Sequence, residues 1–81
     1  MTSVATTLYA GIRKLKKRNP DLVISDDSQL KENLGITSLE MVSLLTDTCT
    51  KHDIDLMTLS DVDLAKMKRV SDVITILDSR L

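Results

Sequence analysis

Cys49 and His52 lie three residues apart, close to one face of any helix that contains them. A thiol beside an imidazole suggests nucleophilic catalysis, but that chemistry also needs a third group to orient the imidazole and a cleft to hold substrate. They are the only cysteine and the only histidine, too few for a four-ligand zinc site. A small semi-buried thiol and a surface histidine are the expected roles. Asp26-Asp27 and the pair Asp53/Asp55 could act as acid and base or hold a metal, yet turns and helix flanks use aspartate in the same positions. With Gly11 and Gly35 as the only glycines, there is no phosphate-cradling loop. Gly35-Ile36-Thr37-Ser38-Leu39 lacks the G-x-S-x-G order of a nucleophile elbow. The expectation is a chain with no catalytic residue and no metal of its own. What remains is Ser38, a hydroxyl at the junction of a loop and a helix.

Four helical segments position that serine. Val4, Leu8, Ile12 and Leu15 recur at three- and four-residue steps, which gives a first helix with one apolar face, capped by Thr2 or Ser3. Its basic run, Arg13 to Arg18, falls in the last turns, where the helix dipole favours cations, and Asn19-Pro20 is expected to end it. A connection of about 18 residues follows, to Ile36 or Thr37; loops this long are uncommon unless functional or anchored. Leu22, Ile24, Leu30 and Leu34 are spaced to anchor it, and Gly35 can take a backbone angle that other residues avoid. The second helix starts at Thr37 or Ser38 and runs to about His52. Met41, Leu44 and Leu45 form one apolar stripe, and Leu39, Val42 and Cys49 form another beside it. One buried face needs only a stripe of about 100°. The surplus next to Ser38 leaves two readings open: a partner surface, or a central and largely buried helix. Ser60-Asp61-Val62-Asp63 has the form of a capping box and opens a short third helix to about Met67. Val70, Val73, Ile74, Leu77 and Leu81 mark the fourth. The expected fold is all-α, a four-helix bundle of three longer helices and one short, with a long loop between the first two, forming one domain over residues 1–81.

Composition narrows the class. The 81 residues are 42% hydrophobic and 28% charged, in the globular range, with Tyr9 the only aromatic, so the core must be aliphatic. A single cysteine rules out an internal disulfide. No apolar run approaches the roughly 18 residues of a membrane span, and the first residues do not read as a signal peptide. A cytoplasmic monomer is expected. Residues 1–18 hold five bases and no acid (+5), and the rest hold six bases against twelve acids (−6), together the net −1. The basic run could contact nucleic-acid phosphates, but the remainder is acidic and has no aromatics for base stacking, so no nucleic-acid partner is expected.

Leu34-Gly35-Ile36-Thr37-Ser38-Leu39-Glu40-Met41-Val42 resembles the L-G-x-D-S-L-[DE]-x-V signature of acyl carrier proteins. Upstream, Ser28-Gln29-Leu30-Lys31-Glu32-Asn33-Leu34-Gly35 is similar to the family's S-[FL]-x-E-D-L-G run, with Asn33 replacing the acid. His52-Asp53-Ile54-Asp55-Leu56 and Val70-Ser71-Asp72-Val73 resemble the end of its second helix and the start of its last, so the likeness spans essentially the whole chain. It implies a non-catalytic carrier. A phosphopantetheinyl transferase would attach 4'-phosphopantetheine to Ser38, making it a phosphoprotein. Acyl groups would then ride the arm as thioesters for fatty acid, polyketide or related lipid or secondary-metabolite biosynthesis. Acyl-loading, condensing or acyl-transferring enzymes are the implied partners, and Thr37, Leu39, Glu40, Val42, Ser43 and Thr46, with Cys49 and Thr50 further along, are the implied contact residues.

The chain departs from the family in three informative places. Thr37 stands where aspartate is usual before the serine. Glu40 and Asp47 are the only acids of a second helix that is typically acidic, and the first helix ends in bases. Steering toward basic partners is weakened accordingly. The expectation is a dedicated carrier of a specialised pathway, whose specificity rests on Leu39 and Val42 and on the basic end of the first helix. A peptidyl carrier is the near alternative, although a G-G-[HD]-S motif is missing. An unmodified protein–protein adaptor is the other.

Overall fold

The computed structural model describes residues 3–81. Four helices account for its regular structure: α1 (Val4–Leu15), α2 (Ser38–Lys51), α3 (Asp61–Lys66) and α4 (Val70–Asp78). They are 12, 14, 6 and 9 residues long, and no strand occurs among the described residues. A single 3-10 turn, Leu56–Thr58, precedes α3 and had no signal in the apolar spacing.

Each helix start is a local capping event. The Ser3 hydroxyl accepts the Thr6 amide at 3.1 Å, whereas Thr2, the other cap candidate, lies outside the described residues. Ser60 accepts the Asp63 amide at 3.2 Å while Asp63 accepts the Ser60 amide at 3.0 Å, a full capping box with aspartate in the usual glutamate position. Asp72 accepts the Arg69 amide at the start of α4 at 2.9 Å.

The end of α1 differs from expectation. The helix stops at Leu15, before Asn19-Pro20, and the chain turns at once, with the Asn19 amide donating to the Lys16 carbonyl at 2.9 Å. Long-range bonds of the basic residues account for this. The Arg13 guanidinium donates to the Leu22 carbonyl at 2.6 Å, and the Lys16 ammonium to the Gly35 carbonyl at 2.9 Å. The connection without helix is therefore residues 16–37. Leu30, Leu34 and Ile36 are buried along it, and Leu22 and Ile24 pack against the core from its edge.

Three contacts fix α1 antiparallel to α2. The Thr7 hydroxyl meets His52 Nε2 at 2.6 Å at one end, and Lys16 meets Glu40 at 3.2 Å at the other. Between them Gly11 faces Leu44, where a Cβ would stand 2.6 Å from the leucine Cδ1. That close approach explains a glycine in mid-helix. α2 ends in a Schellman turn, with the Ile54 amide donating to the Cys49 carbonyl at 2.8 Å and Asp53 at φ 59° in the glycine position. Asp55 then caps the 3-10 turn through the Met57 amide. Both aspartates are thus turn and cap residues. The core is aliphatic: Val4, Leu8, Ile12, Leu44, Val70, Val73 and Leu77 are essentially sealed from solvent. Leu81, expected on the inner face of the last helix, instead follows its end at Asp78 and is exposed.

Tyr9 ties α1 to the connection by donating its hydroxyl to Asp26. That bond, then burial and the Asp26 charge, push its phenol up to about 12. Because the protonated form is favoured in the fold, the bond's stabilisation is complete below pH of about 10 and disappears as pH rises through about 12. Tyr9 is the only aromatic residue, so ultraviolet absorbance titrates it alone. The midpoint is expected near 12, and Asp26→Asn should return it towards the ordinary value.

Candidate functional site

Ser38 occupies the first turn of α2, and its placement follows from the residues on either side. Ile36 is buried and fixes the incoming chain, and its amide donates to the Leu30 carbonyl at 2.9 Å. Gly35 adopts φ 64°, the left-handed region, which turns the backbone before the helix. Thr37 caps α2: its hydroxyl accepts the Glu40 amide at 3.2 Å, and Glu40 Oε1 accepts the Thr37 amide at 3.0 Å. The first intrahelical bond runs from the Met41 amide to the Thr37 carbonyl at 2.9 Å. The amides of Ser38 and Leu39 precede it and point out of the positive end of a 14-residue helix, beside an exposed serine.

Lys16 completes this corner. Its ammonium lies 3.2 Å and 3.4 Å from the two Glu40 oxygens. The Thr37 amide first, and then Lys16, hold the Glu40 carboxyl below its ordinary range. With a depressed value in the fold, this contribution to stability is present above the ordinary carboxylate range and is lost as pH falls through the folded value. Removing the cap with Thr37→Ala should lower stability by about 1 kcal/mol, read as a lower urea midpoint at unchanged slope.

Beside Ser38 opens a groove of about 840 Å³ between α2, α3 and the connection. Leu30, Ile36, Met41, Leu45 and Met67 form its apolar floor, with Val42 and Leu64 towards the outside and Lys31, Glu32, Lys68, Arg69 and Asp72 on the rim. The antiparallel bridge between Gln29 and Arg69 closes one end of this region: the Leu30 amide donates to the Lys68 carbonyl at 2.9 Å, and the Val70 amide to the Ser28 carbonyl at 3.0 Å.

The residues expected to face partners separate into two groups. Leu39 is 84% exposed and Val42 59% exposed, and Thr37, Ser43, Thr46 and Thr50 are also open to solvent. Leu39, Ser43, Thr46 and Thr50 follow at four-, three- and four-residue steps, so they form one outer stripe of α2. The helix is therefore buried on one face only. Glu40 is half-buried and committed to Thr37 and Lys16. Cys49 corrects the expectation: at 1% exposure it belongs to the core and cannot contact a partner. Burial pushes its thiol up, away from the reactive thiolate. His52 bonds to Thr7 and is half-buried rather than a plain surface residue. Of the basic run, Arg13 and Lys16 make the internal bonds described, and Lys14, Lys17 and Arg18 are exposed.

Two residues of this corner and groove carry no signal in the sequence. Lys16 read as one of five solvated cations, and its partners Gly35 and Glu40 are too distant in sequence for spacing to reveal. Met67 read only as the end of α3, yet it forms part of the groove floor. Among the described residues no three of His, Cys, Asp and Glu converge to hold a metal ion, and no helix is long and apolar enough to cross a membrane. Set beside known proteins, the chain matches no family model and no curated protein, and the chemistry of the Ser38 corner is read from its own residues.

Proposed function

We propose that this chain is an acyl carrier protein, a bundle of that type with 4'-phosphopantetheine carried on Ser38. The observation that supports it most is an exposed serine hydroxyl at the positive end of α2, set at the mouth of an apolar-floored groove. In the attachment step, Ser38 Oγ bonds to the pantetheine-bearing phosphorus of coenzyme A. The pyrophosphate P–O bond breaks, adenosine bisphosphate leaves, and the hydroxyl proton passes to a base on the transferase. The two unpaired amides and the dipole at the start of α2 suit the resulting phosphodiester anion. The residues present fit such a group: the serine is accessible, and the groove offers apolar walls to a chain tethered there.

When bound, the arm supplies a thiol on which acyl groups travel as thioesters. The protein's own residues do the presenting. Thr37, Glu40 and Lys16 lock the turn that holds Ser38 outward. Leu39, Val42, Ser43 and Thr46 form the surface offered to the transferase and to acyl-loading, condensing or acyl-transferring enzymes. Such a carrier is not itself an enzyme. The sparse acids of α2, one of them neutralised by Lys16, fit a dedicated carrier of a specialised fatty acid, polyketide or related pathway.

Intact-protein mass spectrometry after incubation with coenzyme A and a broad-specificity transferase tests the reading. A gain of one phosphopantetheine is expected. No gain with several transferases would overturn it in favour of an unmodified adaptor, the second reading, which Thr37 favours by standing where the family has aspartate.

A further inference from the structure

We propose that the groove beside Ser38 selects acyl chains that end in a carboxylate, which Lys31, Lys68 and Arg69 read at its rim. For how the chain is delivered, this rests on the carrier function; for whether the groove binds it, it does not. The bridge between residues 29 and 69 brings the three cations to one rim, since Lys31 follows Leu30, whose amide bonds to the Lys68 carbonyl at 2.9 Å. All three are exposed, and none takes part in the ion pairs of the described residues, which are Lys16–Glu40 and Arg80–Asp63.

Two acids share the rim. Asp72 Oδ2 is occupied by the Lys68 and Arg69 amides at 3.2 Å and 2.9 Å, which fixes it to the backbone. Glu32 is exposed beside Lys31. The rim therefore carries three cations against two acids, one of them already engaged. Below it the lining is mainly apolar, with Leu30, Ile36, Met41, Leu45 and Met67, and the uncharged polar residues Gln29, Thr37 and Ser38 complete it. A neutral chain would cover the floor and leave the cations idle, and a bare phosphate would meet the cations and leave the floor wet. An alkyl chain with a carboxylate satisfies both, and its tether point is at the groove mouth.

Octanoate and 1-octanol, added free to the unmodified protein, separate the two contributions. Methyl NMR of Met41, Leu45 and Met67 is expected to show octanoate binding about tenfold more tightly than octanol, the size of three exposed ion contacts. K31Q/K68Q/R69Q should erase that difference and leave octanol unchanged, and Glu32→Gln should tighten octanoate alone. Equal affinities in the unaltered protein, or shifts that avoid these methyls, would overturn the inference. Failure of the carrier reading would appear separately, as no mass gain on Ser38, and would not alter the free-ligand result.

Discussion

Ser38→Ala is expected to abolish phosphopantetheine attachment completely while leaving stability within about 0.5 kcal/mol of the parent chain. The two parts of this result have separate causes. Attachment needs the hydroxyl oxygen as nucleophile, and alanine has none. Stability does not need it, because Thr37 and not Ser38 supplies the capping oxygen of α2. Ser38 is exposed, makes no side-chain hydrogen bond among those of the described residues, and sits where alanine is an excellent helix former. Loss of loading could not then be ascribed to unfolding. Ser79 is the internal control: it is exposed at the end of α4 and lies outside both the groove and the surface offered to partners. Ser79→Ala should load fully. Intact mass and thermal unfolding read both variants, and persistent mass gain in Ser38→Ala would place the modification elsewhere.

Local signals in the sequence located the helices well. Apolar steps of three and four residues placed α1, α2 and α4, and the Ser60/Asp63 box placed α3, because caps and stripes depend on residues within one or two turns. The misplaced ends are those decided at long range. α1 stops early because Arg13 reaches Leu22 and Lys16 reaches Gly35 and Glu40. α4 stops at Asp78, before Leu81, and just past its end Arg80 reaches Asp63 of α3 at 2.7 Å. On α2 the doubled apolar pattern could not say which stripe was inside. The Leu44 contact with Gly11 turns that face inward, buries Cys49 and leaves Leu39 and Val42 outside.

The site divides in the same way. Ser38 at a helix start, Thr37 as its cap and Gly35 as its turn are all readable from neighbours. The groove is not, since its walls come from residues 29–45 and 64–72, joined by hydrogen bonds such as Leu30 to Lys68 that no period encodes. A hint existed in the surplus of apolar residues beside the serine. It became a groove only once α3 supplied Leu64 and Met67 as the opposite wall.

Leu8→Ala should be among the most damaging core substitutions, costing about 2–5 kcal/mol as a lower urea midpoint. Leu8 is 0% exposed in a core that contains no phenylalanine or tryptophan, so its loss leaves a cavity with only aliphatic neighbours to relax into it. A domain of this size has a total stability on the order of 4–12 kcal/mol, so the loss is a large fraction of it. Val23→Ala, at a site 78% exposed, should shift the midpoint by less than about 0.5 kcal/mol. The pairing of α1 with α2 makes Leu8 a sharp test of scaffold against site. Leu8 holds the helix whose C-cap, Lys16, braces the Ser38 turn, but Leu8 itself lies about two helical turns before Lys16. Below its unfolding transition, Leu8→Ala should therefore load phosphopantetheine at the parent rate, and through the transition loading should change in step with the unfolded fraction. A loading defect in the fully folded variant would mean that the presentation of Ser38 depends on α1 packing and not only on its Thr37, Glu40 and Lys16 brace.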